Sequence, residues 1–231
     1  CTLFFKMKKQ LLAIVFICVT SISWSQINEI GVFIGGSNYV GDVGKSTYIY
    51  PNSIAGGIIY KYNLNPRIAL RGTLSYIPIK GDDLKSSNIV RANRGFNFKN
   101  SLKEIAVGIE YNFFEYDMTS TDKKYTPYIL LEVAGFGYET AESEITPGQY
   151  SLKTKISYAI PFGLGFKGKI RENIGFSLES RIRYTFADDI DFTTNKIPSL
   201  NFGGNSNDWY MFTGISIVYA FGRPACYTEL R

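Results

Sequence analysis

Eight segments of this chain alternate apolar with polar or small residues. They span roughly residues 28–40, 53–64, 67–79, 101–114, 126–138, 157–169, 173–186 and 208–221. Period-two alternation is the mark of β-strands with one apolar face. In the fourth segment Ile105, Val107, Ile109, Tyr111 and Phe113 share one face, against Glu104, Ala106, Gly108, Glu110 and Asn112. The seventh sets Ile174, Phe176, Leu178, Ile182 and Tyr184 against Gly175, Ser177, Glu179, Arg181 and Arg183. The eighth places Trp209, Met211, Ile215, Ile217, Tyr219 and Phe221 opposite Gly214, Ser216 and Ala220. A slip of one residue would turn Glu110 or Arg181 onto the apolar face, so the register is strongly specified.

The segment that precedes these strands decides which solvent the apolar face meets. Met7-Lys8-Lys9, an apolar run over residues 11–19 and Ser23-Trp24-Ser25 have the form of a secretory signal cleaved before Gln26. Residues 1–6 read as an upstream extension, 7–25 as the signal, 26–221 as the strand domain and 222–231 as a tail. No run approaches the ~18 apolar residues that a transmembrane helix requires. An exported chain of amphipathic strands, each longer than the ~9–11 residues needed to cross a bilayer at a tilt, points to an outer-membrane β-barrel. The expected fold is all-β, an eight-stranded antiparallel transmembrane barrel.

Connection lengths orient it. The links at residues 63–66 and 171–173 are short and that at 115–125 is medium. Those at 41–52, 80–100, 139–156 and 187–207 are long. Short periplasmic turns and four long external loops put both termini in the periplasm. Tyr60, Tyr62, Phe113, Tyr219 and Phe221 fall near one rim, and Tyr76, Tyr158, Tyr184 and Trp209 near the other, as two interfacial girdles.

The inward face is charged. Lys61, Arg71, Glu104, Glu110, Glu132, Lys167, Glu179, Arg181 and Arg183 are expected in the lumen. An eight-stranded barrel has room only for its own side chains. Five cations and four anions there should pair into a plug, since an isolated buried charge is strongly unfavourable.

Other chemistry finds little support. Gly163-Leu164-Gly165-Phe166-Lys167-Gly168 spells a dinucleotide-binding pattern, but it alternates like a strand and no helix follows; its glycines are expected to make room for lumen side chains. Asp188-Asp189-Ile190-Asp191 lacks calcium-loop spacing and is expected to be solvated or to meet the basic loop of Lys85, Arg91, Arg94 and Lys99. The chain has no histidine, which removes Ser–His hydrolysis. No enzyme activity, cofactor or metal is expected. Once Lys6, Lys8 and Lys9 leave with the signal, 22 of the 25 basic residues face 20 acidic ones, too even a balance for nucleic-acid binding. Cys226 is then the one cysteine left, a candidate for an intermolecular bridge.

Four stretches carry a family resemblance. They are residues 29–42 (Glu-Ile-Gly-Val-Phe-Ile-Gly-Gly-Ser-Asn-Tyr-Val-Gly-Asp), 60–67 (Tyr-Lys-Tyr-Asn-Leu-Asn-Pro-Arg), 184–189 (Tyr-Thr-Phe-Ala-Asp-Asp) and 209–227. The last ends in Gly222-Arg223-Pro224-Ala225-Cys226-Tyr227. Together they resemble the PorG-like outer-membrane barrels of Bacteroidota, long classed as a domain of unknown function. The resemblance implies a part in the type IX secretion system and, in gliding bacteria, its motility apparatus. There the barrel ties a periplasmic ring, formed by a lipoprotein and its partner (PorK and PorN, or GldK and GldN), to the outer membrane. On that reading Asn63, Asn65, Arg67, Arg171, Glu172, Asn173, Arg223 and Cys226 are the candidate periplasmic contacts, with a possible disulfide through Cys226. Pro224, lacking an amide donor, would stop the last strand from continuing. The alternative is a small surface barrel with an adhesin-like or structural role, working through its external loops.

Overall fold

The computed structural model describes residues 28–45, 47–118, 124–146, 148–202 and 206–222. The signal segment, the extension before it, Arg223 and Cys226 lie outside the described residues. Eight strands form one closed antiparallel sheet in sequence order. They are β1 (Asn28–Val40), β2 (Ser53–Asn65), β3 (Ile68–Asp82), β4 (Asn97–Asn112), β5 (Tyr125–Thr146), β6 (Gln149–Arg171), β7 (Ile174–Thr185) and β8 (Trp209–Phe221). Closure is made by β1 and β8, which pair from Asn28↔Phe221 to Val40↔Trp209. A closed ring leaves no strand edge unpaired along the wall, the condition for a sheet surrounded by hydrocarbon. No described helix is long and apolar enough to cross a membrane.

The wall is inverted relative to a protein folded in water. Outward side chains such as Ile105, Val107, Ile109, Leu131, Val133 and Leu164 are exposed, while Lys61, Arg71, Glu110, Arg181 and Arg183 are buried. Alternation places each outward apolar residue between two inward ones, so one register satisfies both faces.

The short-turn end is built tightly. Asn65 Oδ1 accepts from the backbone N–H groups of Arg67 and Ile68, both at 2.8 Å, and so closes the β2–β3 turn. The link after β4 turns inward: the Tyr116 N–H donates to the Pro66 carbonyl at 3.0 Å, and Tyr116, Met118 and Ala220 form a small buried cluster.

The long-loop end departs from the expected four loops in two ways. Residues 139–156 are not a loop. β5 and β6 continue past the wall as a hairpin, paired out to Thr146↔Gln149, with Gly148 at φ +83° at its tip. Glu139, Glu142, Glu144, Lys153 and Lys155 interrupt the apolar alternation there, but the Thr, Ile and Tyr between them favour strand. Ala141 packs on Ile197 and Leu200 of the β7–β8 loop, which holds the hairpin upright. The β3–β4 connection shortens to a single 3₁₀ turn and a helix, α1 (Ile89–Arg94), capped by Asn88 Oδ1 accepting from the Val90 N–H at 2.9 Å and ended by Gly95 at φ +64°.

Met211 is a further difference. Its register points outward, yet it is buried. It pairs with Asn38, whose Nδ2 donates to the Thr47 and Tyr48 carbonyls at 3.3 and 2.8 Å. The β1–β2 loop therefore folds down over the outside of the wall.

Candidate functional site

Strand alternation delivers inward charges from β2 through β7 to a common axis, where they meet in three tiers. In the tier nearest the short turns, Glu110 takes three cations. Lys61 Nζ lies 2.8 Å and Arg71 Nη1 3.3 Å from its Oε2, and Lys167 donates to its Oε1. The middle tier joins Arg71 to Glu179 by two parallel bonds of 2.8 and 3.0 Å. Glu179 also accepts from Tyr128 Oη at 2.8 Å. Arg181 lies 3.1 Å from Glu179 and 3.4 Å from Glu132, with its guanidinium 5.0 Å from the ring centres of both Phe33 and Phe212. In the upper tier Arg183 grips Glu104 through bonds of 2.8 and 3.0 Å, and Tyr210 Oη donates to the same carboxylate at 2.6 Å. Bidentate arginine–carboxylate pairs fix orientation as well as charge.

All nine residues expected in the lumen are found there and are at most 3% exposed. Two inward charges escaped the sequence reading. Glu29 on β1 is buried and its Oε1 accepts from Asn63 Nδ2 at 2.8 Å; Lys169 on β6 is buried near the short turns. Both occupy inward positions within the spans 28–40 and 157–169, so the alternation itself was signal enough to find them.

The ionic column is stoppered at each end. Towards the long loops lie Ile77, Ile79, Leu102, Phe136, Tyr138 and Ile190, one continuous apolar cluster. Towards the short turns Tyr116 covers Lys167, whose Nζ is 4.7 Å from the ring centre. The column of charges thus lies between two apolar clusters.

A family model for a domain of unknown function matches residues 8–229. The chain belongs to this family, DUF6089. No curated protein matches the sequence. Among solved structures, the fold is similar to the N-terminal β-barrel domain of Pseudomonas aeruginosa OprF (13% identity, 85% of this chain and 98% of that one, TM-score 0.47). It is also similar to Yersinia pestis Ail, the attachment invasion locus protein, solved with the heparin analogue sucrose octasulfate (15% identity, 85% and 99% covered, TM-score 0.47). A third is Neisserial surface protein A (12% identity, 86% and 98% covered, TM-score 0.42). These likenesses concern the fold.

At the short-turn end of this DUF6089 barrel, the candidate contacts divide by their engagement. Asn63 and Asn65 are held by the bonds to Glu29 and the turn described above. Arg67 donates to the Phe113 carbonyl at 2.8 Å and lies 3.4 Å from Glu115, with its side chain 45% exposed. Arg171, Glu172 and Asn173 are exposed. The Asn173 carbonyl accepts from the Ala220 N–H at 2.8 Å.

At the other end the aspartates are buried or half-buried rather than solvated, and they do not meet the basic loop of Lys85, Arg91, Arg94 and Lys99, the two outcomes expected of them. Arg94 instead binds Asp83, with Nε 2.6 Å from Oδ2. Asp189 accepts from Tyr138 Oη at 2.5 Å and from Thr140 Oγ1 at 2.9 Å, and pairs with Lys155. The reason is reach: the hairpin brings β5 and β6 side chains to the β7–β8 loop first. Asp191 and Asp208 flank Tyr39 Oη at 2.7 and 2.5 Å, and the Asp42 N–H donates to the same oxygen at 3.0 Å. Burial and the neighbouring Asp191 raise the Asp208 pKa to about 9, and burial raises that of Asp191. Asp188, pushed up by burial and by Asp42, Asp191 and Asp189, reaches about 6.

Proposed function

We propose that this chain is an outer-membrane anchor of the PorG-like kind, tying a periplasmic ring of the type IX secretion and gliding machinery to the lipid. The observation that carries the reading is the stoppered ionic column. A barrel filled from end to end serves by holding something, and its work lies at its ends. The reading is non-catalytic and needs no cofactor. The resemblance of residues 29–42, 60–67, 184–189 and 209–227 to PorG-like barrels supplies the partner class, a ring lipoprotein and its companion subunit of the PorK/PorN or GldK/GldN type. Arg67, Arg171 and Glu172 are exposed on the face where such a ring would dock. Arg223 and Cys226 come after the last strand in the sequence and are the further contacts this reading names, with Cys226 bridging to a ring subunit.

The test is a pull-down of tail-tagged protein after cross-linking from the periplasmic side. Recovery of ring lipoproteins is the expected result, and their absence refutes the reading. Non-reducing gels of wild type and Cys226→Ser address the bridge. A reductant-sensitive adduct is expected in wild type alone.

The ordered long-loop end favours a second reading, a surface barrel acting through its loops. Hydrogen bonds tie the β1–β2 and β7–β8 loops and the hairpin to one another and to the wall. On that reading loop deletions, and not tail deletions, abolish function.

A further inference from the structure

Charge on the outward positions of the barrel wall is concentrated near the long-loop rim of β3–β5, where the cations outnumber the exposed Glu139 of β5. The outward positions of β1, β2, β7 and β8 are uncharged, whereas β3 and β4 carry Lys80, Lys99 and Lys103 near the long-loop rim. Lys80 and Lys99 are direct cross-strand partners, and Lys103 is opposite the girdle residue Tyr76. Like charges in direct opposition destabilise a sheet. The nearby Asp82 is engaged by Lys85 at 3.6 Å, and none of the three lysines has an ion-pair partner among the described residues. The three line a groove of about 820 Å³, together with Ile54, Tyr76, Pro78 and a single carboxylate, Glu139, so the groove is net cationic.

An apolar trough runs on from this groove along the wall. Directly beneath Lys103 lies a depression of about 470 Å³ walled by Ile58, Leu74, Tyr76 and Ile105. Below it a further depression of about 730 Å³ is walled by Tyr60, Leu70, Val107 and Ile109. Two outward positions along the trough have no side chain. Gly56 stands opposite Tyr76, and Gly72 stands between Tyr60 and Val107. A Cβ built on Gly72 comes no nearer than 4.0 Å to any other atom, so the space there is open.

Three unpaired cations at the head of an apolar trough, on the wall that faces lipid, match an amphiphile with an anionic head. We propose that β2–β4 form a binding site for a phosphate-bearing lipid of the leaflet on the long-loop side. Its phosphates sit among Lys80, Lys99 and Lys103, and one acyl chain lies over Gly56 and Gly72. Tyr76, shared by the groove and the trough, marks the boundary between head and chain. The site is independent of the ring-anchoring role, which uses the opposite end of the barrel.

Native mass spectrometry of the full chain in non-ionic detergent tests this, with three probes: diphosphorylated lipid A, the same lipid dephosphorylated, and inorganic pyrophosphate. Wild type should hold one diphosphorylated lipid, bind the dephosphorylated lipid far more weakly, and not release the bound lipid to pyrophosphate. Each lysine near an anionic surface contributes roughly fivefold, so the K80Q/K99Q/K103Q protein should lose affinity on the order of a hundredfold. Gly72→Leu, which fills the trough and keeps the lysines, should also weaken lipid binding. Folding of each variant is checked by heat-modifiable mobility on gels, and the three-probe comparison on wild type requires no variant. Equal retention of the two lipids, displacement by pyrophosphate, or unchanged binding by the triple-lysine variant overturns the proposal.

Discussion

Glu110→Gln should be among the most damaging single-atom exchanges available in this protein. The side chain is fully buried and neutralises Lys61, Arg71 and Lys167 together. Arg71 keeps its two bonds to Glu179 after the exchange. Lys61 and Lys167 do not fare as well, since Glu110 is the carboxylate each of them pairs with. Breaking a buried pair by removing one partner costs about 3–5 kcal/mol, mostly because the other charge is stranded. An exposed pair, Lys153–Glu142, provides the scale: Glu142→Gln should cost at most about 1 kcal/mol. Urea unfolding of detergent-solubilised barrel, followed by the fluorescence of Trp209, reads both. For a urea dependence of about 2 kcal/mol per molar, Glu110→Gln should lower the midpoint by roughly 1.5–2.5 M and Glu142→Gln by no more than about 0.5 M. Adding Lys167→Met to Glu110→Gln should recover part of the loss by removing one stranded cation. Equal, small shifts for Glu110→Gln and Glu142→Gln would show that water reaches the lumen and that the column is not desolvated.

Three further outcomes follow from the geometry. Gly165→Val should destabilise the barrel by about 2 kcal/mol or more, because a Cβ there meets the Tyr128 ring at 2.5 Å and must push Tyr128 off Glu179; an unchanged urea midpoint contradicts this. The β7–β8 loop should loosen as pH rises. Tyr39 Oη has one proton to give to Asp191 and Asp208, and it already accepts from the Asp42 N–H, so one carboxyl must keep its proton. Asp208 has a pKa raised above its unfolded value. Its stabilising effect is therefore full below about pH 4, declines as pH rises, and is gone above about 9. Hydrogen exchange of residues 187–202, corrected for intrinsic rates, should lose protection progressively between about pH 4 and 9, and pH-independent protection refutes the shared proton. Finally, planar bilayers containing the protein should show no steady conductance, while Tyr116→Ala, which removes the lid over Lys167, should remain closed at Arg183 and Glu104. Stable open-channel currents from wild type would contradict the stoppered lumen.

The alternation in this sequence determined most of the barrel. It placed Glu104, Glu110, Arg181 and Arg183 inside and Ile105, Val107 and Ile109 outside, because period two is a local property and a one-residue slip is prohibitive. Connection lengths separated the two ends for the same local reason. Who meets whom inside was not legible. Glu110 gathers Lys61, Arg71 and Lys167 from three strands, and Arg71 reaches Glu179 across the lumen, a pairing set by the closure of the ring and by strand stagger. The long-loop end also belonged to tertiary structure. Residues 139–156 look like a charged loop until Ala141 finds Ile197 and Leu200, and Met211 looks lipid-facing until Asn38 ties a loop over it. The lysine groove arises the same way. Lys80, Lys99 and Lys103 are three ordinary surface residues in the sequence, and only pairing β3 to β4 sets Lys80 against Lys99, above the trough that runs over Gly56 and Gly72. Periodicity along one strand tells which face a residue occupies; neighbours across strands are chosen by the sheet as a whole.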